Sequence, residues 1–262
     1  MRILVSIENE KGLDKLCASL AGVLSMLEDD ELYVDILHVY EPVEGKMTHD
    51  MVDKIEEIKK DEKKAKIRFL STCENNLEKY LQDNLDKTAL VNSFLLEGDY
   101  KKTIEKHIIF QTYSLLVLIP REKVNFNEIL TGRNTHWVID NLEVPVLLLP
   151  RKLERDPDHV YHMTCFVDIE KTYRNVKRSE FISKIKPDRI EYVHFGRHEV
   201  DEGVKVINSS NVTESLQEHT ANTDANNIYV LVHKNKGDFL NFLNKSFTKS
   251  VISTLHNPLL IF

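Results

Sequence analysis

The residues of the chain best placed to do chemistry follow the apolar run Leu115–Ile119, in the segment PREKVNFNEILTGRN. An apolar strand, a polar loop and then a helix is a layout that often holds phosphates at a helix N-terminus. Such a loop needs glycines, because only a backbone without side chains lets its N–H groups approach a phosphate closely. This loop contains a single glycine, Gly132. The sequence therefore predicts the layout of a phosphate site without its glycine-rich lining.

Other combinations of residues in the sequence give only weak indications of chemistry. The basic residues around that glycine, Arg121, Lys123 and Arg133, could bind a small anion or could be solvated surface charges. No Ser or Cys nucleophile stands beside a base, and the sequence has neither a GxSxG elbow nor a Walker loop. We therefore predict that the protein is not an enzyme.

One segment has the residue types of a metal site. His159 and His162 lie close to Asp156 and Asp158, and imidazole and carboxylate groups are common zinc ligands. However, no second group of ligands follows in the sequence, and we expect His162 to point outward from a strand. The pattern therefore favours a protein without a bound metal.

Composition sets broad limits on function. The chain has 262 residues, of which 42% are apolar and 29% charged, with a net charge of -7. It lacks the basic face of a nucleic-acid-binding surface, and no apolar run approaches the ~20 residues that span a bilayer. The three cysteines, Cys17, Cys73 and Cys165, are far apart and lie in apolar segments. We expect buried thiols in a soluble, cytoplasmic protein.

The elements that must position these residues alternate between strands and helices, and in the first half they do so strictly. Apolar periodicity predicts strands over 2–7, 31–39, 90–96, 115–119 and 145–149, and helices over 11–27, 50–83, 100–110 and 131–141. After a charged linker at 151–159 the pattern restarts, with strands at 163–167, 190–195, 204–207, 228–232 and 259–262 and helices at 170–185, 212–219 and 239–255. The alternation predicts two domains, residues 1–152 and 153–262, each with a parallel sheet covered by helices.

The two domains are predicted to be copies of one fold. An ungapped alignment of two segments 113 residues apart pairs Val117 with Val230 and Pro145 with Pro258. His38 and His194 also match, at a spacing of 156 residues, so the second copy is shorter and lacks the counterpart of the long helix. These histidines could line a cleft at matching strand ends or be hydrogen-bonded structural residues.

The order of elements, the second strand ending in LHV, the loop after the fourth strand and the closing PVLLL strand resemble the universal stress protein family in its tandem form. The resemblance implies an α/β fold of two flavodoxin-like domains, also described as adenine-nucleotide-alpha-hydrolase-like, each with a five-stranded, mostly parallel sheet. It also implies a pseudo-dimer in which the closing strands at 145–149 and 259–262 meet.

Many members of that family bind ATP with an acidic residue after the first strand and a Gly-x2-Gly-x9-Gly-[Ser/Thr] loop after the fourth. In the first copy Glu8 occupies the acidic position and Gly132 the third glycine position. Arg133 replaces the hydroxyl residue, and Glu122 stands where the second glycine would be. A carboxylate beside the phosphates is electrostatically unfavourable, so we expect nucleotide binding to be lost in this copy.

The second copy keeps different parts of the motif. Asp168 occupies the acidic position and Ser246 the hydroxyl position, whereas Lys245 replaces the glycine and Gly237 is out of register. These four residues could be a residual ATP site, with lysine charges in place of backbone N–H groups. Alternatively, Asp168 caps the following helix and the lysines are solvated, in which case no cofactor is expected.

The resemblance and the degenerate motif together lead to a functional prediction. We expect a non-catalytic protein that acts in stress response or regulation through protein contacts. The long helix at 50–83 could contact a partner protein or a second copy of the chain, or it could simply cover the sheet. The alternatives are an ATP-binding switch that uses the second copy, with weak or no hydrolysis, and an enzyme built on the same scaffold.

Overall fold

The structure is a computed structural model of the chain. It describes residues 1–7, 13–41, 52–84, 88–119, 133–149, 162–167, 180–187, 189–195, 203–208, 214–215, 218–219, 227–231 and 257–261. The predicted linker at 151–159 and the predicted helix at 239–255 lie outside these residues, and the predicted domain boundary at 152/153 stays a prediction.

In the first half, strands and helices alternate as the periodicity predicts. The first half contains β1 (Arg2–Ile7), α1 (Leu13–Ser25), β2 (Glu31–Tyr40), α2 (Val52–Asn84), β3 (Thr88–Glu97), α3 (Tyr100–Gln111), β4 (Leu115–Ile119), α4 (Arg133–Asn141) and β5 (Val146–Leu148). The second half contains β6 (His162–Phe166), α5 (Glu180–Ser183), β7 (Arg189–Phe195), β8 (Val204–Ile207), β9 (Asn227–Leu231) and β10 (Leu259–Ile261). Within the predicted helix at 212–219, residues 214–215 and 218–219 are helical.

All ten strands form one sheet, in the order β3-β2-β1-β4-β5-β10-β9-β6-β7-β8. Read outward from the middle, the two halves have the same strand order. Every pair of neighbours is parallel except β5 and β10, which pair antiparallel with Val146 opposite Ile261. The predicted contact between the closing strands is therefore confirmed, and it joins two five-stranded sheets edge to edge.

The core lies on both faces of the sheet, because its central strands are apolar on both sides. All five residues of β4 are buried, as expected for a parallel strand covered by helices. One core cluster packs α1 and α2 against the sheet, and the other packs α3 and α4 against the opposite face. Leu20 and Leu24 on α1 are fully buried, and burial of each contributes ~1.5–3 kcal/mol.

The two halves also meet away from the sheet. Leu27 and Ile185, which follow α1 and α5, form an isolated antiparallel bridge with a backbone hydrogen bond of 2.8 Å on each side. Glu28 and Lys186 form a salt bridge beside it. Both helices end just before this bridge, so the predicted helices at 11–27 and 170–185 extend too far at their C-terminal ends. The backbone leaves the helix there because it pairs with the other half.

Helix α2 is as long as predicted, but only half of it covers the sheet. Its 33 residues span ~50 Å at ~1.5 Å per residue. The ten residues of β3 span only ~33 Å at ~3.3 Å per residue. The helix is therefore longer than the sheet on which it lies. Among the described side chains of α2, the buried ones are all in its C-terminal part, namely Leu70, Cys73, Leu77 and Leu81.

The sequence of the predicted helix at 50–83 has an apolar seam that includes Ile58 and Ala65, and the prediction that this seam is buried is wrong for the described N-terminal part of α2. From Glu56 to Arg68 no side chain is buried, and Ile58 is exposed. Lys66 Nζ lies 5.5 Å from the ring centroid of Tyr40, the last residue of β2. Since α2 runs from the carboxyl end of β2 back to the start of β3, the preceding turns project beyond the carboxyl edge of the sheet. We refer to Val52–Ala65 as the α2 arm.

Candidate functional site

The candidate ligand site of each half is the carboxyl edge of its sheet. In open α/β sheets, ligands bind where the strand order reverses. That point lies between β1 and β4 in the first half and between β6 and β9 in the second. Ile7 and Ile119 are neighbours at the first edge, and Phe166 and Leu231 are neighbours at the second. The described strand ends at both switch points are thus apolar.

The predicted site residues continue directly from these strand ends, but they lie outside the described residues. This applies to the whole predicted set, Glu8, Gly132, Asp168, Gly237, Lys245 and Ser246. The same holds for Arg121, Glu122, Lys123 and His159. Of the residues around the first loop, the backbone of Arg133 is placed, as the first residue of α4. The structure therefore positions the edges, and the composition of both loops stays a prediction from sequence.

A histidine anchors each edge in the same way. His38 Nδ1 lies 2.8 Å from Ile7 O, and His194 Nδ1 lies 2.9 Å from Val167 O. A carbonyl oxygen can only accept, so Nδ1 carries the hydrogen in both rings and a neutral ring keeps a lone pair on Nε2. These are the hydrogen-bonded structural residues that the sequence offered as one of two interpretations. Each holds the carbonyl immediately before the predicted acidic residue of its half.

In the second half, the other ring nitrogen of the histidine makes no hydrogen bond to the described residues. His194 is only 6% exposed, and its Nε2 is buried without a hydrogen-bond partner in the part of the chain that the structure describes. A buried acceptor without a donor is costly and is usually satisfied by water or a ligand. The edge that leads into Asp168 therefore offers an acceptor for an N–H or O–H group.

The remaining polar groups at the first edge hold the backbone together. Ser6 Oγ lies 3.0 Å from the hydroxyl of Tyr100, which ties β1 to the start of α3. Asp99 caps that helix by accepting the backbone N–H of Lys102 at 3.0 Å. The Tyr40 hydroxyl donates to Glu97 at 2.8 Å. Among the described residues of this edge, the one buried serine thus bonds a phenol instead of a histidine or carboxylate base, which is not a nucleophile arrangement.

A buried polar network occupies the face of the sheet under α3. Asp35 on β2 is fully buried, and its Oδ2 accepts from Arg2 Nε at 2.9 Å, Arg2 Nη2 at 2.8 Å and the Tyr113 hydroxyl at 2.7 Å. Asn92 Nδ2 donates to Oδ1 at 3.1 Å. Tyr113 also lies 2.8 Å from His107 Nε2. Since the phenol hydrogen goes to Asp35, His107 must donate from Nε2.

This network sets the protonation of its members. Burial, followed by the hydrogen bond to Asp35, raises the pKa of Tyr113 well above its usual range. Burial also lowers the pKa of His107. Sequence reasoning missed this network, although a charged residue inside the apolar strand ELYVDILHVY is a usable signal. A buried carboxylate requires a partner, and the network supplies several.

The second half has an acid at the equivalent position. Glu191 lies opposite Thr164, as Asp35 lies opposite Leu4 in the first half. Lys205 Nζ is 3.2 Å from Glu191 Oε1, and His219 Nε2 is 3.9 Å from Oε2. Burial lowers the pKa of His219, which weakens that ion pair. Both acids are neutralised locally, as expected of structural residues.

Metal and thiol chemistry find no support in the described part of the chain. No group of three or more His, Cys, Asp or Glu side chains there is arranged to hold a metal ion. The three cysteines are all buried, as predicted, and burial raises the pKa of Cys165 to about 12, so its thiolate is scarce at neutral pH. None of the described helices has the length and apolar character needed to cross a membrane.

Comparison with solved structures relates the whole chain to one fold. It is similar to a universal stress protein from Archaeoglobus fulgidus, with 17% identity, a TM-score of 0.67 and coverage of 99% of this chain and 97% of that chain. It is also similar to a Pseudomonas aeruginosa protein described as a universal stress protein, with 12% identity, a TM-score of 0.53 and coverage of 100% and 92%. Both solved proteins therefore share the arrangement of the whole chain, with its two halves, and not that of one half alone.

A third neighbour is the cytoplasmic domain of a prokaryotic cation chloride cotransporter. The identity is 10%, the TM-score 0.50 and the coverage 99% of this chain and 94% of that chain. A scan against protein-family models gives no match, and neither does a search of curated proteins. At these identities the likeness shows the fold, and the fold alone does not determine function.

Proposed function

We propose that the chain, whose fold is similar to that of two solved universal stress proteins, is a non-catalytic regulatory protein that acts in stress response through contacts with other proteins. The proposal combines three features. The nucleotide-binding motif is degenerate in the sequence, the described edges carry structural polar groups, and an ordered helix stands clear of the core.

The sequence of both loops argues against a nucleotide-dependent role. The first copy has one motif glycine, Gly132, and places Glu122 where phosphate oxygens would lie. The second copy has Lys245 at the corresponding glycine position. Side chains at these positions keep backbone N–H groups away from a phosphate. A carboxylate in the first copy adds electrostatic repulsion.

The observation that carries the proposal is the α2 arm. Isolated helices are marginal in water, and most helices in proteins are stabilised by packing an apolar face. The described side chains of this arm are not buried. Ion pairs within the helix support it, between Lys64 and Asp61 at 3.4 Å and between Lys66 and Glu62, but each contributes only ~0.2–0.5 kcal/mol. A helix held out in solvent with Ile58 exposed is suited to contact with another protein.

The structural neighbours suggest where a partner would be found. One of them is a domain of a membrane transporter, so this tandem fold also occurs as a cytoplasmic part of a larger assembly. We therefore include membrane proteins of the source cell among the partners to be screened.

The test compares the intact protein with a variant altered only in the arm. In that variant Ile58→Ser removes the exposed apolar side chain, and Lys60→Glu and Lys64→Glu reverse two exposed charges. Both proteins are immobilised and exposed to soluble and detergent-solubilised cell fractions. A partner retained by the original protein and lost with the variant supports the proposal. If the retained proteins are the same for both, the arm is not the contact surface.

An ATP-binding switch in the second half is the second candidate, and one observation favours it. The buried Nε2 of His194, which has no hydrogen-bond partner among the described residues, lies at the edge that continues into Asp168, and an adenine amino group or ribose hydroxyl could donate to it. Ser246 and Lys245, which occupy motif positions, would then lie on the phosphate side, with Gly237 nearby in the sequence but out of register.

Thermal unfolding with and without millimolar MgATP separates the two candidates. Ligand at ~100 times its Kd adds ~2.7 kcal/mol, and each kcal/mol moves Tm by ~2–4 °C for a chain of this size. We expect no shift. A rise of ~5–11 °C that Asp168→Ala abolishes and the matched variant Glu8→Ala preserves would replace our proposal with the nucleotide switch.

A further inference from the structure

The outer face of α3 exposes two adjacent large apolar residues. Ile109 is 71% exposed and Phe110 is 80% exposed, the two highest values among the large apolar side chains that the structure describes. Single exposed apolar residues are common on protein surfaces, but adjacent ones form a patch that is worth explaining. Aromatic residues, phenylalanine among them, are also enriched in protein–protein interfaces relative to the rest of the surface.

The helix presents these two residues in a fixed orientation. Asp99 caps its N-terminus, and Ile104 and Ile108 pack its inner side against the core. At its C-terminus, Thr112 adopts a left-handed conformation with φ 48° and donates its N–H to Ile108 O at 3.2 Å. Both ends of the helix are therefore fixed. The exposed pair belongs to a rigid element, so little conformational entropy would be lost there on binding.

The same face carries an excess of positive charge. Helical spacing aligns Lys102, Glu105 and Lys106 with Ile109, since residues three and four apart share a face, and all three charged side chains are exposed. This face carries two lysines and one glutamate, although the chain as a whole has a net charge of -7. An apolar pair beside lysines is complementary to an apolar segment flanked by carboxylates.

We propose that the outer face of α3, formed by Lys102, Glu105, Lys106, Ile109 and Phe110, docks an acidic amphipathic segment of a partner protein. Aliphatic or aromatic side chains of that segment cover Ile109 and Phe110, and its carboxylates pair with the two lysines. Docking of an amphipathic segment onto an apolar surface is a recurring recognition mode. The inference rests on the proposed role in protein contacts and assigns it a surface distinct from the α2 arm.

Charge argues against a second copy of the chain as the occupant. In a symmetric pair each face meets the same face of its partner. Two such faces would bring four lysines together with only two glutamates, and like charges oppose association. An acidic segment meets no such opposition, which is why it is the occupant proposed.

The experiment selects a ligand from random sequences, so the partner need not be identified first. A phage-displayed library of random 12-residue peptides is panned on the immobilised full chain, and enriched peptides are synthesised with a fluorescent label. Binding is then measured by anisotropy to the original protein, to Ile109→Ser/Phe110→Ser and to Lys102→Glu/Lys106→Glu. The matched control is Ile58→Ser on the α2 arm. Thermal unfolding establishes that each variant is folded, which is expected since every changed side chain is exposed.

We expect enriched peptides with apolar residues beside Asp or Glu, at least a tenfold loss of affinity in both α3 variants, and unchanged affinity in Ile58→Ser. Peptides that lose affinity only in Ile58→Ser would overturn the inference and leave the proposed function standing. Absence of enriched peptides overturns the inference, and a nucleotide-dependent thermal shift is what would overturn the proposed function.

Two further measurements distinguish the other occupants. Vesicles containing phosphatidylserine are sedimented with the protein, and light scattering after size exclusion gives its oligomeric state. Vesicle binding that Phe110→Ser abolishes would identify a membrane surface as the occupant. A dimer that the same change dissociates would identify a second copy. Either result overturns the assignment to a partner segment.

Discussion

Replacing Arg2 by Met tests whether Asp35 behaves as a buried charge held by its partners. The change removes the two donors at 2.8 and 2.9 Å and leaves the Asp35 carboxylate with the Tyr113 hydroxyl and the Asn92 amide. Removing one partner of a buried ion pair costs ~3–5 kcal/mol. Because the Arg2 side chain is 35% exposed, water screens part of the interaction, and we expect a loss near the lower value, ~3 kcal/mol.

Urea unfolding followed by tryptophan fluorescence measures this loss. The single tryptophan, Trp137 on α4, packs against the same core cluster as α3, so it reports on the half that contains the network. In a thermal scan the same loss lowers Tm by ~6–12 °C. An exposed lysine on α2, changed as Lys60→Met, is the matched control and should alter stability by less than ~0.5 kcal/mol.

The double variant Arg2→Met/Asp35→Leu decides the interpretation. Replacing a whole buried pair with apolar side chains is often close to neutral, so the double variant should recover most of the stability that the single variant loses. Some deficit should persist, because Asn92 loses its acceptor. If the double variant is no more stable than Arg2→Met, the carboxylate was not the source of the loss. The reasoning would be refuted.

Three further predictions use the same unfolding assay. Thr112→Gly should stabilise the protein by ~0.5–1 kcal/mol, because a β-branched residue at φ 48° is strained and glycine is not; a loss of stability would contradict this. Glu28→Lys should destabilise by ~0.5 kcal/mol at low salt, since it places two lysines at the bridge, and adding Lys186→Glu should restore the original value. Burial lowers the pKa of His107, so the unfolded chain binds the proton first as the pH falls. The contribution of neutral His107 to the free energy of unfolding is therefore fully present above about pH 6.5 and is lost as the pH falls below that value. The change His107→Gln should accordingly reduce the fall in the urea midpoint between about pH 7.5 and 5.5.

The central strands were within reach of sequence reasoning because each is apolar on both faces. All five residues of β4 are buried, and the run LLVLI shows this without further information. The closing strand β5 is shorter than predicted, Val146–Leu148 instead of 145–149. Its end depends on pairing with β10 of the other half, and a local pattern contains no information about a partner so distant in the chain.

The seam of α2 shows a different limit. Apolar spacing indicates which face of a helix is suited to burial, but not how far the surface beneath it extends. The pattern continues through Ile58 and Ala65, yet both are exposed because the helix is longer than β3. Comparing the two predicted lengths, ~1.5 Å per helical residue against ~3.3 Å per strand residue, would have revealed the overhang from the sequence.

The polar residues at the carboxyl edges of the sheet were predicted in part. The repeat placed His38 and His194 at equivalent strand ends, and both bond the carbonyl before the predicted acidic residue. Repetition identified them because the same structural need arises in both copies. The partners of Asp35 were missed, since Arg2 and Tyr113 come from other strands and loops and have no counterpart in the second half that would have drawn attention to them.

The different features of the two halves explain why the two functional hypotheses can be tested separately. Both halves keep the strand order and the histidine anchors. The α2 arm and the proposed docking face of α3 belong to the first half, whereas the second half holds the Nε2 of His194, which lacks a hydrogen-bond partner in the part of the chain that the structure describes. The described contacts that link the halves include the β5–β10 pair and the bridge between Leu27 and Ile185. If a ligand at the second edge changed partner binding by the first half, the coupling would have to cross such contacts. Glu28→Lys should then weaken that coupling while leaving each binding event on its own intact.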